Sequence, residues 1–294
     1  GTDQVSDIIG ISYDSEDGLE WTGVQFPYLS ANLDFSNDGA LSGYYTSDIL
    51  YNTDYMHDPA DIDGSTFNKK IAPATILEKN GEKIGVVGAT TQLLTSITSS
   101  GGIDVIGPNS NDMDELAGIL QPYIDDMRNN HNVDKIFVVS HLQQFSLEKS
   151  LIGKLSGVDV IFAGGSDHVM LSGSQEVYAG TEKQGEYPYI TENMEGEPAL
   201  IVSTDGEYRY VGRLIVTFDE NGVIEVNSID PKSGAYASTQ SELLRHYDNV
   251  NDAFVQNSKG ELVQRLTTAV EGVVTSQDGN IFGITDVYLD GRRS

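Results

Sequence analysis

The sequence predicts an α/β fold, and three observations carry that reading. Lys135–Ser140 and Val158–Ala163 are apolar runs of strand length, with the helical stretch Ser146–Leu155 between them. That order is a βαβ unit, which makes the two strands parallel with a right-handed crossover. Upstream, Asn111–Asn129 places Met113, Leu116, Ile119, Leu120, Tyr123, Ile124 and Met127 on one face of a helix. Before that, Ile71–Leu77 and Lys83–Ala89 flank the turn Lys79-Asn80-Gly81-Glu82, whose Asn-Gly pair marks a hairpin.

The remaining elements follow in chain order. Thr2–Ile9 reads as the tail of a helix, and Phe26–Leu33 as a strand. Asp34–Asn68 is a polar excursion rich in Tyr and Asp, and Pro122 is expected to kink its helix. Ala199–Thr204 is a strand, and Gly212–Asp219 with Gly222–Ile229 forms a hairpin turned by Glu220-Asn221. Helical stretches are expected at Thr239–Gln256 and Gly260–Thr275, the second with a stripe of Leu262, Leu266, Ala269, Val270 and Val273. Gly283–Leu289 reads as the start of a further strand, and no internal repeat or low-complexity tract is visible.

Composition narrows the function classes. The 294 residues carry a formal charge of −28, so nucleic-acid backbones and anionic membranes are not expected partners. A phosphorylated small substrate stays compatible if cations neutralise the site locally. The acidic, Lys-poor surface suits a salty environment, where screening is strong. There are no cysteines, so any metal must be held by nitrogen and oxygen donors. Their absence also fits an exported protein, and the expected location is periplasmic or extracellular. No apolar run is long enough to span a bilayer. No signal peptide stands at residue 1, which need not be the native start.

Two patches carry the chemistry. Val138-Val139-Ser140-His141-Leu142 and Ala163-Gly164-Gly165-Ser166-Asp167-His168 each put a His just past a strand. In an open α/β sheet that edge lines the ligand crevice. Two imidazoles and a carboxylate there point to metal-site residues His141, His168 and Asp167. Asp167 reads equally as a turn residue after Gly-Gly-Ser. Gly164-Gly165 lets the backbone pass close to a metal or substrate. His57, His131 and His246 read as surface histidines. Asp58–Gly64 has the alternating oxygens of a calcium loop without its full spacing or closing Glu, and reads as a solvated acidic loop. Asp205-Gly206 and Arg213 read as structural, a turn and a carboxylate partner.

The chain resembles the bifunctional metallophosphatase/5′-nucleotidase family, within the calcineurin-like phosphoesterases. The matching stretches are FPYLSANLDF (Phe26–Phe35), GEKIGVVGATT (Gly81–Thr91), VDKIFVVSHL (Val133–Leu142), GVDVIFAGGSDH (Gly157–His168), STDGEYRYVGRLIVTFDENG (Ser203–Gly222) and TDVYLDGRRS (Thr285–Ser294). The resemblance implies an α/β/β/α metallophosphatase sandwich, incomplete at the N-terminus, followed by a helical linker. It divides the chain into a metallophosphatase domain over 1–238, a linker over 239–275 and the first strand of a nucleotidase-type domain over 276–294. It implies two divalent ions, Zn, Mn or similar, with Ca possible, and a nucleotide or other phosphate monoester as substrate. In that mechanism two ions roughly 3.5–4 Å apart bridge a hydroxide that attacks phosphorus in line.

Carried over, His141 is the ligand of the family's Ser-His-Leu segment, and His168 the second histidine of its Gly-His-x-His pair. The first of that pair is Ser166 here, so its role is lost or passes to Asp167. The Gly-Gly-Ser-Asp variant is closest to the atypical alkaline phosphatase branch. The family's Asp-x-His, bridging Asp and Gly-Asn-His-Glu segments have no match, and the general acid of the last is expected upstream of Gly1. The chain thus reads as a middle fragment of a longer phosphomonoesterase, weak or inactive alone, whose partners include the missing parts of its parent chain. The competing readings are a non-catalytic or degenerate acidic calcium-binding module and, more weakly, an α/β ligand-binding protein.

Overall fold

A computed structural model describes residues 2–10, 12–14, 19–21, 23–54, 68–173 and 175–278. The chain divides into two compact units, Gly1–Ala237 and Ser238–Ser294.

The first unit is built on a seven-stranded sheet. Its strands are β1 (Leu50–Tyr51), β2 (Ala74–Lys79), β3 (Glu82–Thr90), β4 (Lys135–His141), β5 (Val160–Gly164), β6 (Tyr189–Glu192) and β7 (Pro198–Val202). They lie in the order β6-β7-β5-β4-β3-β2-β1. β3, β4, β5 and β7 run parallel, and β6 and β2 join them antiparallel. The α/β class read from the sequence is therefore the observed one. The β2–β3 turn forms as its Asn-Gly pair requires: Asn80 and Gly81 both take positive φ, 56° and 86°.

Helices α2 (Met113–His131) and α3 (Phe145–Ile152) cover one face of this sheet; α1 is Thr2–Ile9. The Asp112 carboxylate caps α2 by accepting from the Asp114 and Glu115 amides, and Asn132 ends it in the left-handed conformation. Pro122 does not interrupt this helix. Leu116, Leu120, Ile124 and Met127 of α2 pack on Val87, Ile136, Val138, Ile161 and Ile201, all wholly buried. Truncating one such Leu or Ile to Ala costs about 2–5 kcal/mol.

The opposite face carries Val86, Phe137, Val139, His141, Phe162 and Gly164, since side chains alternate across the pleat. β8 (Tyr210–Arg213) pairs with β9 (Gly234–Ala237) as a partial second β layer. From the stretch between them, Phe218 reaches Phe137 with ring centroids 6.5 Å apart. Toward the C-terminal edge the cover stops, leaving Val139 37% and Phe162 40% exposed.

Several expected elements differ. Phe26–Leu33 is two short strands, Tyr28–Leu29 and Leu33–Asp34, because Asn32 turns inward between them, wholly buried. Ile71–Leu77 is likewise interrupted at Pro73, which lacks an amide to continue the ladder. The 212–229 hairpin forms without regular strands: its arms meet at a Phe218–Ile224 bridge, with the Asp219 amide donating to the Val223 carbonyl and the Glu225 amide to the Thr217 carbonyl, both at 2.9 Å. Arg213 is exposed and has no ion pair among the described residues; Arg209 instead pairs with Asp205 at 2.9 Å. In the second unit the single helix expected over 239–256 is a short turn at Gln240–Leu243 and a 3-10 segment at Val250–Phe254, restarted by the Asn249–Asp252 capping box. α4 spans Lys259–Asp278. The expected strand over 283–289, His57 and the Asp58–Gly64 loop lie outside the described residues.

Candidate active site at the C-terminal edge of the sheet

His141 is the last residue of β4, in register with Thr90 of β3 and Gly164 of β5. It therefore sits mid-sheet at the C-terminal edge, where α/β sheets bind ligands. Its carbonyl accepts from the Thr91 amide at 2.9 Å. The Thr90 backbone is held in turn by Asn32, whose Oδ1 accepts from the amide at 2.8 Å and whose Nδ2 donates to the carbonyl at 2.7 Å.

The imidazole of His141 lies against Gly165. A Cβ there would stand 2.7 Å from Cδ2 and Nε2 of the ring, at a backbone φ of +79°. Glycine is required on both counts: close approach and a left-handed backbone. The next three residues fan out. Ser166 Oγ is buried with no hydrogen-bond partner among the described residues. Asp167 is exposed at φ 50°, its carboxylate turned to Gly206, where a Cβ would stand 2.7 Å from Oδ1. His168 turns the other way and stacks flat on Phe145 of α3, centroids 4.1 Å apart and planes 7° apart. Burial holds its pKa below the ordinary imidazole value, and Lys149 adds repulsion. The ring is thereby kept neutral, the form in which a histidine binds metal or accepts a proton. Lys149 also stands 5.5 Å over the Phe145 ring and 5.7 Å over Tyr189.

The structure thus brings His141 and the Ser166–His168 loop to one sheet edge, yet no three His, Asp or Glu side chains converge on a common point among the described residues. In kind the donors suit a metal; in number they fall short of the three or four a site requires. The described residues alone do not fit a complete metal centre. His131 and His246 lie elsewhere. His131 meets the Tyr51 hydroxyl at 2.5 Å and Asp126 at 3.4 Å, and His246 pairs with Glu242 at 3.3 Å.

Sequence reading missed Glu148. It falls in step with Phe145, Leu151 and Ile152 on the apolar face of α3, and it is wholly buried. A charged residue at an apolar position of a helical period is the signal that marks it.

No protein-family model matches the chain. The probable 5′-nucleotidase of Treponema pallidum (strain Nichols) is 32% identical over 224 residues, 76% of this chain and 36% of that protein. The 5′-nucleotidase of Diplobatis ommata is 28% identical over 204 residues, covering 69% of this chain and 29% of that one. Among solved structures, the 5′-nucleotidase precursor of Thermus thermophilus superposes with a TM-score of 0.53 at 25% identity, over 79% of this chain and 39% of that one. The chain belongs to the 5′-nucleotidase/metallophosphoesterase family. It spans about a third of the length of the 5′-nucleotidases it matches. No described helix is long and apolar enough to cross a membrane.

Proposed function

We propose that this chain is part of a phosphoric monoester hydrolase of the 5′-nucleotidase or alkaline phosphatase type, acting on a nucleotide or another small phosphate monoester. The observation that carries the reading is the position of His141, mid-sheet at the C-terminal edge with its ring on Gly165 and the Asp167–His168 loop beside it. In this reading His141, His168 and Asp167 are metal ligands, and the two-metal centre is completed by donors outside the described residues. Zn or Mn is the expected occupant, with Ca as the alternative. The neighbouring residues prepare the edge for that role: Gly165 and the Thr91 amide fix His141, and Phe145 keeps His168 neutral and oriented.

The unfinished sheet face supports the same reading. Val139 and Phe162 are exposed beside a hollow of about 340 Å³ lined in part by Phe162, Tyr187, Val202 and Leu214. Further strands of the parent polypeptide, packed there, would cover apolar surface and bring side chains to the His141 edge. Residues 1–238 are then a metallophosphatase domain without its first strands, 239–275 a linker and 276–294 the first strand of a nucleotidase-type domain. The proposed location is periplasmic or extracellular, in a salty environment.

By itself the chain is weak or inactive, a non-catalytic fragment, because the family's Asp-x-His, bridging Asp and Gly-Asn-His-Glu segments have no match in its sequence. Phosphate release from a nucleoside 5′-monophosphate, measured with added Zn²⁺, Mn²⁺ or Ca²⁺, tests this. The expected rate is near background; robust turnover would overturn the claim of an incomplete site.

A further inference from the structure

The strongest unexplained group near the site is the carboxyl of Glu148. It is wholly buried on α3 (Phe145–Ile152), and its Oε2 has no hydrogen-bond partner among the described residues. The nearby Lys149 does not offset a charge there, since its ammonium stands over the Phe145 and Tyr189 rings instead. A carboxyl in that state is a liability for folding, and a leucine of similar size would pack on the sheet more favourably.

Its contacts show what it does. The Ser140 hydroxyl donates to Glu148 Oε1 at 3.1 Å. Ser140 and Leu142 are the two neighbours of His141. The turn that follows is strained, with Gln143 at φ 73° just before α3 begins. One side chain thus ties the residue before His141 to the helix behind the sheet, beside the turn through Leu142 and Gln143.

We infer that Glu148 is a positioning residue: its carboxyl holds Ser140, the residue before His141, and so fixes the imidazole of His141 at the sheet edge. The inference rests on the proposed role of His141 and adds the device that holds it. Asn32 acts from the other side, through Thr90 and Thr91, so the His141 backbone is gripped from two directions.

The test uses the whole chain, ¹⁵N-labelled, with Glu148→Leu and Glu148→Gln. Hydrogen exchange of the Leu142 amide and the ring resonances of His141 are followed in each. In Glu148→Leu the Leu142 amide should exchange at least about tenfold faster and the His141 ring signals should broaden, while amides of Val87 and Ile201 in the sheet core keep their protection. Glu148→Gln retains an acceptor and should restore both signals. Unchanged Leu142 exchange and His141 signals in Glu148→Leu would overturn the inference, as would equal loosening of the whole sheet in both variants. Addition of Zn²⁺ to the unaltered chain separates the two claims. If His141 does not respond, its role as a ligand fails, while the exchange data still decide whether Glu148 positions it.

Discussion

The imidazole of His168 lies parallel to the phenyl ring of Phe145, 7° apart in plane and 4.1 Å between centroids. The pairing joins the loop after β5 to the first turn of α3, so the two segments that carry the candidate site are packed as one piece. It also sets the protonation of the histidine. Burial lowers the His168 pKa, with Lys149 contributing repulsion. The neutral ring is favoured on folding, so this contribution is present above the ordinary value of 6.5 and is lost as pH falls through the folded value. Phe145→Leu keeps apolar bulk but removes the stacked face. The His168 pKa, read by NMR titration, should rise toward 6.5 in that variant and the acid limb of the stability curve should flatten.

Gly165→Ala should disturb His141 directly. The added methyl would meet the ring at 2.7 Å, and the backbone would hold a left-handed φ of +79°. The left-handed backbone alone costs about 1–2 kcal/mol. Thermal unfolding should show a loss of that order, and the His141 ring resonances should move more than those of any other histidine.

Asp159 offers a pH-dependent stability in the opposite sense to His168. It is buried, and burial pushes its pKa up to about 7, against the Ile136 amide that hydrogen-bonds its Oδ2 at 2.7 Å; Glu197 adds repulsion. The folded chain therefore binds this proton more tightly than the unfolded one. Its contribution is full below the unfolded value of 3.8 and is lost as pH rises to about 7. Asp159→Asn keeps an acceptor for the Ile136 amide and removes the charge. Denaturant unfolding at pH 8 should find it more stable than the parent by roughly 1–3 kcal/mol, with little difference at pH 4.

Gln143 occupies the left-handed region without being glycine, in the turn between His141 and α3. Gln143→Gly should raise stability by about 0.5–1 kcal/mol, the strain relieved exceeding the entropy added to the unfolded chain. Calorimetry reads this as a higher Tm; a lower Tm would show that the Gln143 side chain stabilises the turn.

How much of this was legible in the sequence depended on whether pattern or tertiary context fixed each element. The βαβ unit from Lys135 to Gly164, the Asn80-Gly81 hairpin and the helix over 113–131 were readable because their apolar periods and turn residues agree with the final packing. The stretch 214–218 alternates like a strand, and its Ile215 and Thr217 carbonyls do accept from the Asp230 and Glu225 amides, yet the amides of the same two residues turn to hydroxyls. The Ile215 amide donates to Ser233 Oγ at 2.9 Å and the Thr217 amide to Ser228 Oγ at 2.8 Å. No local pattern reveals that substitution. Of the site, His141 and His168 were visible as strand-end histidines. The Asn32 grip on Thr90 was not, because it joins residues 58 apart in sequence. Arg209 rather than Arg213 met Asp205, since positive φ at Glu207 and Tyr208 folds the loop back on itself.

The measurement closest to the central claim is a Zn²⁺ titration of the ¹⁵N-labelled chain near pH 7.5, followed on the ring resonances of its five histidines. Ligands at one sheet edge should respond together: the account predicts that His141 and His168 shift in step, and that His141→Ala suppresses the shift of His168. Shifts confined to His57, His131 or His246, with His141 and His168 unmoved, would contradict it.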